Sequence, residues 1–281
     1  MDIAYVNCNL CGKDDTTFVT KTVQDGQEFK LVKCASCDLI YLNPRLTWDT
    51  IKGIYSENKL DNFQYYLNTK DLDEQTFTER LNLIRQYTTP GKVLDIGSSI
   101  GIFLHAAHKQ GWQIFGMELN KEEAKYSEEN FGVKLVSSYG TKPKFDLINM
   151  SDVIEHFTHP KEELQKISKA LKQNGLLLIS TPDFDNKLTR KVAIKPHEHL
   201  YYFDKTTLTK LLEDTGFKVL YIESTTRKLS LKTLRYSSSF NTSKVKKFIL
   251  DIIVYTKTYK IFDFFVNKTN PDLLVIAQKI L

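Results

Sequence analysis

The 281-residue chain has no run of about 18 apolar residues, so no segment is expected to span a membrane. Its opening, MDIAYVNCNLCG, lacks the basic and apolar stretches of a secretion signal, and a cytoplasmic location is expected. Internal repeats and low-complexity tracts are missing too, which argues against a solenoid or a linker protein. Neither sign of charge dominates: 39 basic against 34 acidic residues leave a formal charge of +5. That balance permits an acidic partner without requiring nucleic acid. With 41% apolar and 26% charged residues, the chain can bury a core large enough for one domain and an appendage.

Cysteine is absent after residue 37. The four that exist, Cys8, Cys11, Cys34 and Cys37, form two C-x-x-C pairs separated by 22 residues. Each pair can offer two thiolates from one knuckle, and two knuckles complete a tetrahedral shell. The expected ligand is zinc, and a shell of four thiolates leaves no open position, so its role is structural. A pair of disulfides and a redox C-x-x-C are the alternatives. Aromatic and β-branched residues between the pairs (Phe18, Val19, Phe29, Leu31, Val32) suit short strands, giving a zinc ribbon over 1–45.

Asn43-Pro44-Arg45 marks a break, and a helical connector is expected over 46–90. Phe77, Leu81 and Ile84 repeat at helical spacing within Leu72 to Tyr87. From Val93 onward strands and helices alternate. Strands are expected at 93–96, 113–117, 133–136, 145–150, 176–180, 217–222 and 272–279, and helices at 102–110, 121–130, 161–172 and 206–214. Such alternation predicts an α/β fold: a mostly parallel, Rossmann-like sheet over 91–281 with helices on both faces. Its ligand site is expected beyond the carboxyl ends of the strands. An insertion over 225–270 interrupts the end of this pattern. It is rich in Lys and Arg, with apolar residues at helical spacing. A lid, an oligomer contact, a helix packed on the sheet, and a peripheral membrane contact through 244–266 all fit that composition.

The stretch KVLDIGSSIGIFL (92–104) turns from strand to helix through Gly97, Ser98, Ser99 and Gly101. It has no G-x-G-x-x-G for a pyrophosphate and no G-K-[ST] for a triphosphate. A glycine where a strand meets a helix is common in any α/β protein. Here, though, Asp95 ends the first strand and Glu118 the second, placing two acids around a compact turn. Acids there suit a nucleoside that lacks phosphate and carries positive charge, and S-adenosylmethionine has that shape.

VLDIGSSIG, Glu118 in FGMEL, and FDLINMSDVIEHF together resemble the class I S-adenosylmethionine-dependent methyltransferases, especially the ubiquinone-type O-methyltransferases. The resemblance implies a seven-stranded sheet closed by a reversed hairpin. It also implies that Asp95, Gly97, Ser99 and Gly101 line the methionine end of the cofactor, that Glu118 holds the ribose hydroxyls, and that Ser151 and Asp152 complete the site. Ser99 stands where the family often has glycine, and no acid follows the third strand. The segment CxxC…CxxC, LIYLNPR and paired tyrosines is similar to the zinc-ribbon extension of bacterial methyltransferases, several of which act on sugars. By that similarity the acceptor is expected to be a hydroxyl of a sugar nucleotide or glycan precursor, with carbon second to oxygen.

Transfer to a hydroxyl needs a base, which histidine supplies near neutral pH. His156 follows the fourth strand in DVIEH. His197 and His199 follow the fifth in HEHLYYF, a segment resembling one in sugar methyltransferases where a histidine is the base. His199 or His197 is expected as base with His156 assisting; the alternatives are bracing of the following loop for His156, and a metal site, a gate or a solvent-facing loop without chemistry for His197 and His199. His105 and His108, on the first crossover helix, are expected to pack or face solvent. Two other functions stay open: an RNA-binding or RNA-modifying protein gripping through ribbon and basic helix, and a silent scaffold that only binds cofactor. No N-P-P-[YF] follows the fourth strand, which counts against nucleic-acid amino groups as acceptors.

Overall fold

A computed structural model describes residues 2–56, 63–227 and 269–280. The chain opens with β1 (Ile3–Ala4), then the hairpin β2 (Thr16–Gln24) and β3 (Gln27–Cys34), β4 (Ile40–Leu42) and β5 (Arg45–Leu46). Helices α1 (Trp48–Ser56) and α2 (Phe63–Ile84) follow. The alternating region runs β6 (Lys92–Ile96), α3 (Ile102–Lys109), β7 (Gln113–Met117), α4 (Lys121–Phe131), β8 (Lys134–Leu135) and β9 (Phe145–Ser151). A 3-10 turn (Ile154–His156), α5 (Pro160–Ala170), β10 (Leu171–Pro182), α6 (Lys187–Val192), β11 (Tyr201–Tyr202) and α7 (Lys205–Glu213) come next. The chain closes with β12 (Phe217–Arg227) and β13 (Thr269–Lys279).

Seven strands form one sheet in the order β12-β13-β10-β9-β6-β7-β8. The five from β6 to β10 are parallel, and β13 enters antiparallel between β10 and β12. This is the expected Rossmann-like sheet, with the reversed hairpin at one edge. Strand order turns around beside β6, which makes its carboxyl end the place where such sheets bind ligands.

Period-two alternation in the strands sorts their side chains onto two buried faces. Val93, Leu147, Leu176 and Leu178 pack against α2 and α3 through Leu81, Ile84, Phe103 and Leu104. Leu94, Ile96, Ile148, Met150, Leu177 and Ile179 face the other way. They share one apolar cluster with α5, α7 and, without interruption, with Cys8, Leu10, Phe29, Leu31 and Leu39 of the cysteine-rich segment. The cysteine-rich segment therefore packs on the same face of the sheet as α5 and α7. Strand β11 joins the ribbon sheet (order β11-β4-β3-β2), with Tyr201 opposite Tyr41 and Tyr202 opposite Ile40. Asn9 also caps α5 from outside: its Oδ1 accepts the Lys161 N–H at 2.9 Å, where the helix's own N-cap, His159, makes no side-chain bond.

Three boundaries depart from the sequence pattern. Helix α2 begins at Phe63, well before Leu72. Helix α5 ends at Ala170, because fully buried Leu171 pairs with Phe145 and draws the chain into β10 early. The hairpin strands extend to Arg227 and from Thr269, so 225–227 and 269–270 belong to the sheet and not to an inserted helix. The rest of that expected insertion, including 244–266, lies outside the described residues. No helix among the described residues is long and apolar enough to cross a membrane.

Candidate active site and thiol cluster

Past β6 the backbone takes three left-handed residues in five: Gly97 (φ 70°), Ser99 (φ 47°) and Gly101 (φ 84°). A β-carbon on Gly97 would lie 2.7 Å from Val153 Cγ2, and one on Gly101 2.8 Å from Ser127 Cβ. Both glycines are thus required by conformation and by space. Ser99 adopts the conformation that glycine favours, and its N–H donates to Glu118 Oε2 at 2.8 Å. The other Glu118 oxygen accepts the Asn120 N–H at 2.7 Å, so one carboxylate ties the turn to the start of α4. The buried hydroxyls of Ser98 and Ser99 have no protein partner among the described residues. Orphan hydroxyls beside two acids, in a turn without a basic side chain, fit a polar cationic nucleoside and not a pyrophosphate.

Asp95 is 3% exposed and receives Asn149 Nδ2 at 2.6 Å from the directly paired position on β9. Burial pushes its carboxyl up to about 8, against the lowering effect of Asn149 and with added repulsion from Glu118. Asn149 in turn accepts from Ser151 Oγ at 3.2 Å, and Arg80 of α2 reaches Ser151 at 3.4 Å and Ser180 at 3.0 Å. Ser151 therefore belongs to a polar row crossing the sheet. Asp152 turns the chain off β9 with φ 56°, its N–H on the Ser180 carbonyl at 2.8 Å.

Val153, which closes on Gly97, leads into the 3-10 turn that carries Glu155 and His156. His199 meets them there. The three offer donor atoms that all lie within 4.8 Å of one another, a spacing that could hold a cation. The rings of His156 and His199 stand edge to face at 4.9 Å. His199 Nδ1 lies 2.7 Å from the Ala193 carbonyl, an acceptor only. The hydrogen-bond network thus assigns the proton to Nδ1 and leaves a lone pair on Nε2. Burial holds both rings below the ordinary imidazole range: in His156 it outweighs the opposing charges of Glu198 and Asp152, and His199 is held well below, with His156 and Lys195 adding to the effect. Glu155, 1% exposed and bonded by Thr181 at 2.9 Å, is pushed up to about 8 by burial and by the charge of Asp152.

His197 goes elsewhere. Its Nδ1 lies 3.1 Å from Gln24 Nε2 and 3.5 Å from Asp25 Oδ2, and its ring meets Phe29 edge-on. It seats the tip of the β2–β3 hairpin, so of the two expected bases only His199 joins His156. His105 stacks on Phe131 at 4.3 Å, a packing role.

The four cysteines gather with all sulfurs within 4.8 Å, and none is in a disulfide. Cys8 and Cys37 are 3.4 Å apart, Cys11 and Cys34 3.5 Å. A tetrahedron with arms of about 2.3 Å has edges near these lengths, roughly 3.8 Å. Burial raises Cys8 to about 11 and raises Cys37 further, while at Cys11 burial is outweighed by hydrogen bonds from the Lys13 backbone and the neighbouring thiols, which lower it. The donor set fits a closed zinc shell.

Pattern reading missed Asn149, Arg80 and Thr181. An asparagine amid the apolar residues of β9 was the readable signal for the first. The others meet the site only through tertiary packing.

A family profile described as a methyltransferase domain matches residues 70–222, more than half of the chain. A ubiquinone biosynthesis O-methyltransferase of Aliivibrio fischeri is 24% identical over 149 residues, covering 45% of this chain and 64% of its own. One from Histophilus somni is 31% identical over 122 residues, covering 36% of this chain and 50% of its own. The chain thus spans under two thirds of the length of these relatives. Among solved structures, a methyltransferase from Bacillus halodurans aligns with a TM-score of 0.51 at 18% identity, over 73% of this chain and 99% of its own. A Haloferax volcanii methyltransferase in complex with its Trm112 activator gives 0.56 at 13% identity, over 79% and 97%. These structures share the fold.

Proposed function

The chain belongs to the methyltransferase domain family, and from that premise we propose that it transfers the methyl group of S-adenosylmethionine to a hydroxyl of a small acceptor. The observation that carries this reading is the His199 Nε2 lone pair, set beside His156 and Glu155 on the turn that closes over Gly97. S-adenosylmethionine supplies an electrophilic methyl carbon on a sulfonium. Asp95, Gly97, Ser99, Gly101 and Glu118 hold it, with the orphan hydroxyls of Ser98 and Ser99 available to its polar end. His199 takes the acceptor's hydroxyl proton at Nε2. Glu155, largely protonated near neutral pH, does not draw His156 into an imidazolium, so both rings stay ready to accept. The four cysteines hold zinc in a structural role.

The relatives' names support oxygen as the acceptor atom. For the acceptor itself we propose two classes to compare, hydroxylated precursors of ubiquinone and the sugar nucleotides suggested by the ribbon arrangement, each assayed with methyl-labelled cofactor. Mobility shift with tRNA fragments separates an RNA acceptor from both. Once a panel compound is turned over, His199→Asn is expected to lower kcat by about 10²–10⁴-fold and leave cofactor affinity within about twofold. Turnover that survives in His199→Asn and His156→Asn removes the base assignment.

Asp95 makes cofactor binding depend on pH. Its folded value of about 8 lies above its ordinary 3.8, so the cofactor-free protein holds a proton at pH 7. A cation favours the carboxylate, so binding releases that proton and grows stronger as pH rises toward 8. Affinity is expected to rise about 50-fold between pH 6 and 8, as the unprotonated fraction grows from about 1% to about half, and to level off above about pH 9. Asp95→Asn removes this component, which separates it from titration of the ligand's own amine. Calorimetry across that range checks it; identical slopes in wild type and variant contradict it.

A further inference from the structure

The two histidine-bearing segments come from distant parts of the chain, and a single residue of the amino-terminal segment touches both. Arg45, on β5, is 5% exposed. Its Nη1 donates to the Tyr201 hydroxyl at 2.7 Å and its Nη2 to the Thr158 carbonyl at 2.8 Å. Tyr201 Oη donates to that same carbonyl at 3.0 Å, closing a triangle. Thr158 lies two residues after His156, and Tyr201 two residues after His199. Between them, Leu200 N–H donates to the Glu155 carbonyl at 2.8 Å, while Leu42 N–H of β4 donates to the Leu200 carbonyl at 3.0 Å. The chain of contacts therefore runs from ribbon to His199 segment to Glu155–His156 turn.

We propose that Arg45 is a positioning residue for the methyl-transfer site: its guanidinium clamps the segments after His156 and His199 together and so sets the distance between the two rings. The planar fork of arginine suits this task, since it donates in two fixed directions from one buried group. The clamp lies outside the glycine turn, and none of its bonds reaches Asp95, Ser99 or Glu118. It rests on the reading of His156 and His199 as the proton-handling pair. The ribbon is then part of the active-site wall, and its zinc shell serves catalysis by holding β4 and β5 in place.

The test uses the full chain saturated with S-adenosylhomocysteine, comparing wild type, Arg45→Gln and Tyr201→Phe. One readout is the nuclear Overhauser cross-peak between the His156 and His199 ring protons. The other is calorimetric affinity for S-adenosylhomocysteine. A retreat of about 1 Å from the 4.9 Å ring separation cuts an inverse-sixth-power cross-peak about threefold. The expected result is at least that loss in Arg45→Gln, with affinity within about twofold of wild type. An undiminished cross-peak, or an affinity that falls in step with it, overturns the proposal. If Arg45→Gln does not fold, Tyr201→Phe decides the question, with selective loss supporting and an unchanged cross-peak overturning. Because neither readout needs turnover, failure here is distinct from failure of the base assignment.

Discussion

Replacing Glu118 by Gln should weaken S-adenosylmethionine binding by about 30- to 700-fold, nearly as much as Glu118→Ala. Both carboxylate oxygens accept backbone N–H groups, from Ser99 at 2.8 Å and Asn120 at 2.7 Å. An amide has one oxygen and one NH₂, so whichever way it turns, a donor faces a donor. Hydrogen bonds to a charged group contribute about 1.5–3 kcal/mol each. Loss of one, with repulsion at its site, shifts the cofactor-free turn toward an open form by about 2–4 kcal/mol, and apparent affinity falls with the closed fraction, giving the fold-change stated as its upper range. Ser99 would also lose the bond that holds its left-handed backbone, a conformation costing about 1–2 kcal/mol outside glycine. Calorimetry with S-adenosylmethionine and its demethylated product measures the effect, with a melting curve to show that the fold persists. A change under about threefold would mean that the turn does not depend on this carboxylate.

The second large effect is expected from the thiol cluster. Cys37→Ser, or chelation of the metal, should lower Tm by about 6–20 °C and expose the other three thiols. Free metallo-peptides gain about 10–16 kcal/mol from zinc. Here the ribbon is also held by apolar packing: Leu10, Phe29, Leu31 and Leu39 share a cluster with Leu94, Ile148 and Phe203. Taking about 3–5 kcal/mol for the metal's share, at about 2–4 °C per kcal/mol, gives the stated range. The loss should not stay local, because β4 pairs with β11 just beyond His199. Melting followed by circular dichroism and by zinc release should give one transition, with about one zinc per chain. Purified protein without zinc that melts at the same temperature after chelator treatment would contradict this.

The sheet was legible because its strands carry strong period-two or wholly apolar patterns broken by glycine turns. Val93 to Ile96 and Gln113 to Met117 lie within one residue of the observed strands. The cofactor turn was legible because left-handed backbone needs glycine at Gly97 and Gly101, and the acids at 95 and 118 follow strand ends. The cysteine cluster was legible from spacing alone. What stayed hidden depends on contacts between distant segments. Strand β11 has only two residues and exists because β4 offers it an edge. His197 and His199 are equivalent in sequence, yet one turns to Gln24 and the other to His156. Arg45 follows a proline in a segment that reads as a break, and its role appears only when Thr158 and Tyr201 are brought to it.

Titrating the wild-type protein in parallel with S-adenosylmethionine and with NAD most directly tests whether this crevice takes a cationic adenosine compound. Saturable, stoichiometric heat from the first and none from the second is the predicted outcome. Binding of NAD in preference, or no heat from S-adenosylmethionine at millimolar concentration, would contradict it.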